Sequence, residues 1–261
     1  MGRLGMIEPG EEPSQRPEWP GWSPERLVGS GMVLIGACII GLIGSCLYRF
    51  PTLRAWSSDG LIAAAAGVLV AVSYGLIGWF GARSLERRKS RILRLSLPWA
   101  IAAGVLFGSS MLGEYLIPHD NDEGKVVALG VFGSFFAILF AAGVAGTLTT
   151  RRVTTGALTG FWSALIASEL WVLFLLAIYL GFLGTPQEAR FLEVDQVLAD
   201  FERSGQRDLR AFIFGDYMGA VFFHSLLGAI FGLLLGALGG LAALPLLRRK
   251  SSAGETEVRS S

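Results

Sequence analysis

Charge is what this sequence has least of. Only 16% of its 261 residues are Asp, Glu, Lys or Arg, against roughly a quarter in a soluble domain. The deficit is uneven: long runs carry no charge at all, and the charges crowd between them. A water-soluble core of this size cannot be built that way, whereas a bilayer protein is. Lysine is nearly missing, with Lys89, Lys125 and Lys250 against nineteen arginines. Together with 35 glycines, this composition suggests a GC-rich bacterial source. A net charge of +1 gives no reason to expect nucleic acid as a partner.

Cysteine is almost as scarce. Cys38 and Cys46 share one apolar segment, where eight helical residues separate them by about 12 Å. A disulfide needs Cα atoms within about 7 Å, so an intrachain bridge is excluded and both thiols read as small buried hydrophobes. Histidine occurs twice, at His119 and His224. With no His-Glu-x-x-His and no Gly-x-x-x-x-Gly-Lys, the chain offers neither a metal set nor a phosphate loop. No metal and no cofactor are expected.

What the sequence does have is apolar length. Spanning needs about 20 predominantly apolar residues, and six such runs occur, at 28–48, 61–81, 97–117, 126–148, 157–183 and 217–247. None alternates as a barrel strand does. The expected fold is all-α, a polytopic bundle of six transmembrane helices whose first partner is the lipid bilayer. Residues 1–27, with Pro9, Pro13, Pro17, Pro20 and five glutamates, read as a disordered cytoplasmic tail; Ser23-Pro24 supplies a cap and first-turn proline for the first helix. Residues 248–261 read as a second polar, disordered cytoplasmic tail.

Basic loops set the orientation. The connection 82–96 carries Arg83, Arg87, Arg88, Lys89, Arg91 and Arg94 against Glu86, the connection 149–156 carries Arg151 and Arg152, and Arg248-Arg249-Lys250 follows the last span. All three fall on one side, which places both termini in the cytoplasm of a bacterial inner membrane. The connection 184–216 on the other side has four arginines against seven acids. Interfacial aromatics agree: Trp79, Trp99 and Trp162 fall at inner ends, and Tyr48, Tyr115, Tyr179 and Tyr217 at outer ends.

The outer connection holds one further element. Thr185-Pro186-Gln187-Glu188 has the spacing of a capping box, and Phe191, Val194, Val197, Leu198 and Phe201 share one helical face. An amphipathic helix over about 186–203 is expected, its acidic face (Glu188, Glu193, Asp195, Asp200, Glu202) making an anionic bilayer surface a poor match and the mouth of the bundle a better one.

Small residues four apart let helices approach closely in lipid. The rows are Ala37/Gly41/Ser45, Ala63/Gly67/Ala71/Gly75, Ala100/Gly104/Gly108, Gly133/Ala137/Ala141/Ala145, Gly156/Gly160/Ala164/Ser168 and, cleanest, Gly228/Gly232/Gly236/Gly240. They serve as packing faces, either within the bundle or against a second copy or another membrane protein.

Ionisable groups within spans are costly and mark candidate sites. Glu169 lies deepest, in the fifth span; His224 lies in the sixth; Asp216 and Glu114 lie near the outer interface. The sharper expectation is one proton- or cation-responsive site made by Glu169 and His224, with Asp216 and Glu114 at its entrance; the plainer one has the pair hydrogen-bonded and fixing helix register. A histidine ahead of spaced glycines on a sixth span resembles the rhomboid intramembrane proteases. Their Gly-x-Ser-Gly nucleophile motif is missing, since Gly143-Val144-Ala145-Gly146 has alanine there and Ser134 stands elsewhere, and the spacing after His224 differs by one residue. No enzyme is expected. Two functions fit: transport of a small solute or ion, proton-linked through Glu169 and His224, or a non-catalytic scaffold or accessory subunit that associates through its glycine faces.

Overall fold

A computed structural model describes residues 24–54, 59–86, 91–119 and 121–259. Helices α1 (Pro24–Arg49), α2 (Asp59–Leu76), α3 (Ala82–Glu86), α4 (Arg91–Leu116), α5 (Asn121–Thr150), α6 (Val153–Phe182), α7 (Pro186–Val194), α8 (Val197–Ser204) and α9 (Leu209–Arg259) follow one another, with no strand among the described residues. A π-helical turn, Ile77–Gly81, joins α2 to α3 without interrupting the span. Six helical stretches are long and apolar enough to cross a membrane, at Glu25–Arg49, Gly60–Ser84, Arg91–Leu116, Glu123–Thr150, Val153–Phe182 and Leu209–Leu247. The fold is the expected all-α bundle of six spans.

The bundle is built around α6. Its hydrophobic stretch is 61% buried, while no other span exceeds 33%, so α6 is the hub and the others surround it. That position suits its sequence, because a helix apolar on every side belongs inside. Around the periphery large side chains stand uncovered, among them Leu34 at 66%, Ile62 at 72% and Leu129 at 76% exposure. Water would make that belt a liability, and hydrocarbon would cover it.

Glycine sets the spacing of the hub against its neighbours. A Cβ at Gly236 would lie 2.8 Å from the Gly156 carbonyl oxygen and 3.0 Å from Gly160 Cα, and one at Gly104 would lie 2.9 Å from Leu170 Cβ. Gly228, Gly232, Gly236 and Gly240 therefore pack within the molecule, against α6 and the end of α5. The row expected on α1 does not: Ala37, Gly41 and Ser45 are exposed, and Gly29 and Gly36 are the glycines buried on that helix. On α5 likewise, Gly143 and Gly146 face inward and Gly133 and Ala137 outward. Cys46 is buried as expected, but Cys38 is exposed on the outward face of α1.

The single amphipathic helix expected over 186–203 is two helices. Gln196 adopts a left-handed backbone (φ 58°) between α7 and α8 and turns the chain there; Phe191 and Leu192 are buried in the core, and Val197 packs against it. The capping box forms in altered register. Thr185 Oγ1 accepts from the Glu188 amide at 3.2 Å, while the Glu188 carboxylate accepts from Gly184 N at 2.7 Å, one residue ahead of the cap. Gly184 (φ 75°) makes the left-handed turn after α6 that side chains resist. The last helix continues to Arg259, so residues 250–259 are helical where an irregular tail was expected; no proline follows Pro245 to stop it. The N-terminal tail to Ser23 lies outside the described residues.

Several aromatics read as interfacial belong to the core. Trp162 is 4% exposed and fits against Gly81. Tyr115 and Tyr217 share a 2.6 Å hydroxyl hydrogen bond, Tyr115 stacks on Phe191 at 4.5 Å, and Tyr179 meets Tyr217 edge-on at 5.3 Å. A phenol at the apolar boundary satisfies its hydroxyl either in water or on a partner; here two of the three have each other. Tyr48, 83% exposed, stands free as a belt residue would, and Trp79 and Trp99 are half-buried.

Candidate functional site

Adjacent residues on a helix point about 100° apart, so Ser168 and Glu169 on the hub helix serve different faces. Glu169 turns towards α1 and α2. It is 2% exposed, and neither carboxyl oxygen has a hydrogen-bond partner. Gly36 leaves the room for it: a Cβ there would lie 3.3 Å from Glu169 Oε1 and 3.1 Å from the Ala71 carbonyl oxygen. Tyr74 is in electrostatic contact with Glu169. Its hydroxyl donates to the Ser225 carbonyl at 2.7 Å. Glu169 lies thirteen residues from the end of α6 at Phe182, about 20 Å of helix.

His224 sits at a similar depth, fifteen residues into α9 from Leu209, on the other face of α6. Its Nδ1 lies 2.8 Å from the Ala220 carbonyl oxygen. A carbonyl only accepts, so Nδ1 carries the proton and donates, which leaves Nε2 of the neutral ring as an acceptor. The ring packs among aromatics, 6.0 Å from Phe132, 5.3 Å from Trp171 and 5.8 Å from Phe223 between centroids. Together with Phe107, Phe135 and Ser168 these residues line a cavity of about 240 Å³ between α4, α5, α6 and α9. Trp171 Nε1 itself is buried with no hydrogen-bond partner.

Glu169 and His224 therefore do not meet. The expected common site divides into a buried carboxyl on one side of α6 and an aromatic pocket on the other. Ser168 lines the pocket and also interacts electrostatically with Tyr74. Neither carboxyl oxygen of Glu169 has a hydrogen-bond partner, and His224 bonds a carbonyl of its own helix, so neither ties one helix to another by a hydrogen bond.

Glu114 and Asp216 stand apart from both, at the end of the bundle that carries α7 and α8. Glu114 is half-buried beside a shallow cavity shared with His119, Lys125 and Asp195; Asp216 is exposed. Asp195 feels Asp200 and Asp216 as like charges, which makes this an acidic patch. Its carboxyl is held above the usual aspartate range, first by partial desolvation from the surrounding chain and then by those two neighbours. No group of three or more His, Cys, Asp or Glu among the described residues could hold a metal ion; Asp120 lies outside them.

Beneath the patch is an ion pair that the sequence reading overlooked. Glu188, 3% exposed, accepts a forked hydrogen bond from the Arg210 guanidinium, Nη2 to Oε2 measuring 3.0 Å. Arg210 also lies 5.9 Å from the Phe50 ring and interacts electrostatically with Tyr179. Glu188 had been assigned to the solvated acidic face of its helix; the arginine draws it inward. Asp208 caps α9, accepting from the Arg210 and Ala211 amides at 2.8 and 3.0 Å. Tyr74, Ser168 and Trp171 were overlooked as well, since none is ionised and one polar group in an apolar run carries no distinguishing signal.

Comparison with known protein families, characterised proteins and solved structures finds no match for this chain.

Proposed function

We propose that this protein moves a small solute across the membrane in a proton-linked way, with Glu169 as the group that takes up and releases the proton. The reading rests on one observation: a carboxyl buried at mid-depth with both oxygens unpartnered. Such a group costs stability and returns none through hydrogen bonds, so a structural role does not account for it. Intramembrane ionisable residues serve as ion and proton stations by default. Tyr74, Ser168 and Ser225 supply polar neighbours along which a proton or solute could pass. The test is flux in proteoliposomes under an imposed pH gradient, read with an internal pH dye. Glu169→Gln is expected to abolish the pH-dependent component while the purified variant keeps its folded elution profile. Unchanged flux would sink the proposal.

The orientation proposed with it has both termini in the cytoplasm of a bacterial inner membrane, supported by the arginines of the connections 82–96 and 149–156. A cysteine introduced at the exposed Ser204 should react with a membrane-impermeant thiol reagent from outside intact cells; labelling only after permeabilisation reverses the orientation.

A second reading, an accessory subunit, is favoured by one feature of α1. Gly41 and Gly44 have open space where a Cβ would stand, so a partner helix could approach there. The glycine row of α9 cannot serve this purpose, being already used inside the fold.

A further inference from the structure

The bundle contains two groups of helices that are each held together in one way and joined to one another in a different way. Helices α4, α5, α6 and α9 approach backbone to backbone. A Cβ at Gly236 would lie 2.8 Å from the Gly156 carbonyl oxygen, one at Gly239 3.1 Å from Val144 N, and one at Gly104 3.4 Å from the Ala167 carbonyl oxygen. Helices α1 and α2, with the π-helical turn that continues α2, do the same between themselves. There a Cβ at Gly36 would lie 3.1 Å from the Ala71 carbonyl oxygen and one at Gly29 3.3 Å from that of Gly78. Between the two groups, glycines meet side-chain ends instead. A Cβ at Gly67 would lie 2.6 Å from Met218 Sδ, one at Gly81 2.7 Å from the Trp162 ring, and one at Gly36 3.3 Å from Glu169 Oε1. Side-chain ends yield where backbone does not, methionine most readily.

Helices α1 and α2 are also consecutive in the chain and join the other four through one connection, between α3 and α4. They form an arm laid on a four-helix body along an apolar seam, where Ile39, Ile43 and Ala71 share a cluster with Leu175, Met218 and Val221. Polar ties cross the seam at Tyr74, whose hydroxyl donates to the Ser225 carbonyl at 2.7 Å, and at the α7/α8 end, where Asp208 interacts with Thr52. Glu169 lies on the body side of this seam, and its two oxygens have neither a hydrogen-bond partner nor open surface. Its proton exchanges with water only when the surrounding structure parts. Parting the seam disturbs side-chain contacts and leaves the glycine-packed backbone within each group intact.

We infer that the α1–α2 arm swings as a unit against the α4–α5–α6–α9 body and thereby uncovers Glu169, with the Tyr74–Ser225 hydrogen bond holding the closed form. Packed helices that slide or rock as groups are an established kind of two-state movement. That the opening admits a transported proton rests on the reading above; that the arm moves does not.

The probe is dicyclohexylcarbodiimide, an apolar reagent that adds to protonated carboxyls and remains attached as an N-acylurea. Labelling of the purified full chain in detergent is followed residue by residue with peptide mass spectrometry. Since the closed form shields both oxygens, the rate at Glu169 reads the opening. Gly67→Cys with Met218→Cys, in a Cys38→Ala/Cys46→Ala background, locks the seam. A Cβ at Gly67 would lie 3.8 Å from Met218 Cγ, which puts the two new thiols within disulfide reach, and Met218→Cys removes the sulfur that crowds position 67. Oxidation is expected to slow labelling of Glu169 at least tenfold and dithiothreitol to restore it, while Glu114, away from the seam, labels alike in both states. Tyr74→Phe should label at Glu169 about fivefold faster than the parent, as loss of one hydrogen bond implies. Equal Glu169 rates in the oxidised and reduced forms overturn the inference, as does an unreactive Glu169, or a slowing shared by Glu114. Should the cysteine pair fail to fold, Tyr74→Phe carries the test by itself, and an unaltered rate there overturns the inference. Unaltered flux in Glu169→Gln defeats the transport reading and leaves the arm standing, whereas equal labelling defeats the arm and leaves that reading standing.

Discussion

Two carboxyls at the α7/α8 end of the molecule behave in opposite ways, and each behaviour follows from its immediate neighbours. Asp195 is held above its ordinary range, whereas Asp208 is held below it. For Asp208 burial pushes upward, but hydrogen bonds from Thr52 and the Ala211 and Arg210 amides, with the Arg210 charge, outweigh it. A carboxyl whose folded value is depressed contributes stability above its unfolded value, near pH 3.9, and loses it as pH falls through the folded value. Asp208→Ala should therefore cost about 1 kcal/mol at neutral pH, the usual worth of an N-cap. The difference in unfolding midpoint between parent and variant should close below about pH 4. A difference that persists unchanged to pH 2 would mean that the ionised cap is not its source. Glu169 illustrates the reverse economy at the residue scale, a carboxyl whose surroundings give it room, through Gly36, and no partner.

Among the elements, α7 has the least independent reason to stay where it is. It is nine residues long, too short to hold as an isolated helix, and only Phe191 and Leu192 bury apolar surface with it. What fixes it to the bundle is Glu188 on Arg210, joined by the stacking of Phe191 on Tyr115. Removing one partner of a buried pair strands the other charge, typically at about 3–5 kcal/mol. Arg210 keeps 28% of its side-chain surface in contact with solvent, so we expect Arg210→Ala to cost somewhat less, on the order of 2–3 kcal/mol. The loss should appear locally, as faster hydrogen exchange over Pro186–Val194 with α6 unchanged. Uniform acceleration across the bundle would show instead that the ion pair supports the whole fold. The break at Gln196 belongs to the same scale: apolar periodicity over 186–203 is continuous enough to read as one helix, yet a rigid rod could not both follow the core at Phe191 and turn back towards Leu209.

For the molecule as a whole, the decisive arrangement is that α6 sits inside and α9 lies against it along glycine. A side chain at Gly232 would overlap Ala164 and come within 2.8 Å of the Gly160 carbonyl oxygen. Gly232→Leu is thus expected to prevent folding, seen as loss of the folded peak in detergent chromatography, while Gly41→Leu, which meets open space, should fold normally. If Gly232→Leu kept the folded peak and only changed its apparent size, the α9 row would be an intermolecular surface after all; a size change in Gly41→Leu alone would support the accessory reading. Much of this architecture was legible beforehand. The number, kind and approximate limits of the spans follow from apolar length alone, because hydrocarbon penalises any interruption and the backbone must satisfy itself within each helix. The depth of Glu169 follows too, since position along a helix is a matter of counting. Which way a side chain points relative to five other helices is not. A run such as Val153–Phe182 is apolar all round, so periodicity does not reveal which face meets which neighbour, and Glu169 and His224 could each be placed along a span but not on a side of it. Apolar length by itself determined a six-span helical bundle with a carboxyl buried in its fifth span. Only the tertiary packing decided that α6 is the hub, that its adjacent residues Ser168 and Glu169 open onto different spaces, and that His224 on α9 and Trp171 on α6 line one aromatic pocket, because helix rotation is set by contacts between elements and not by composition along any one of them.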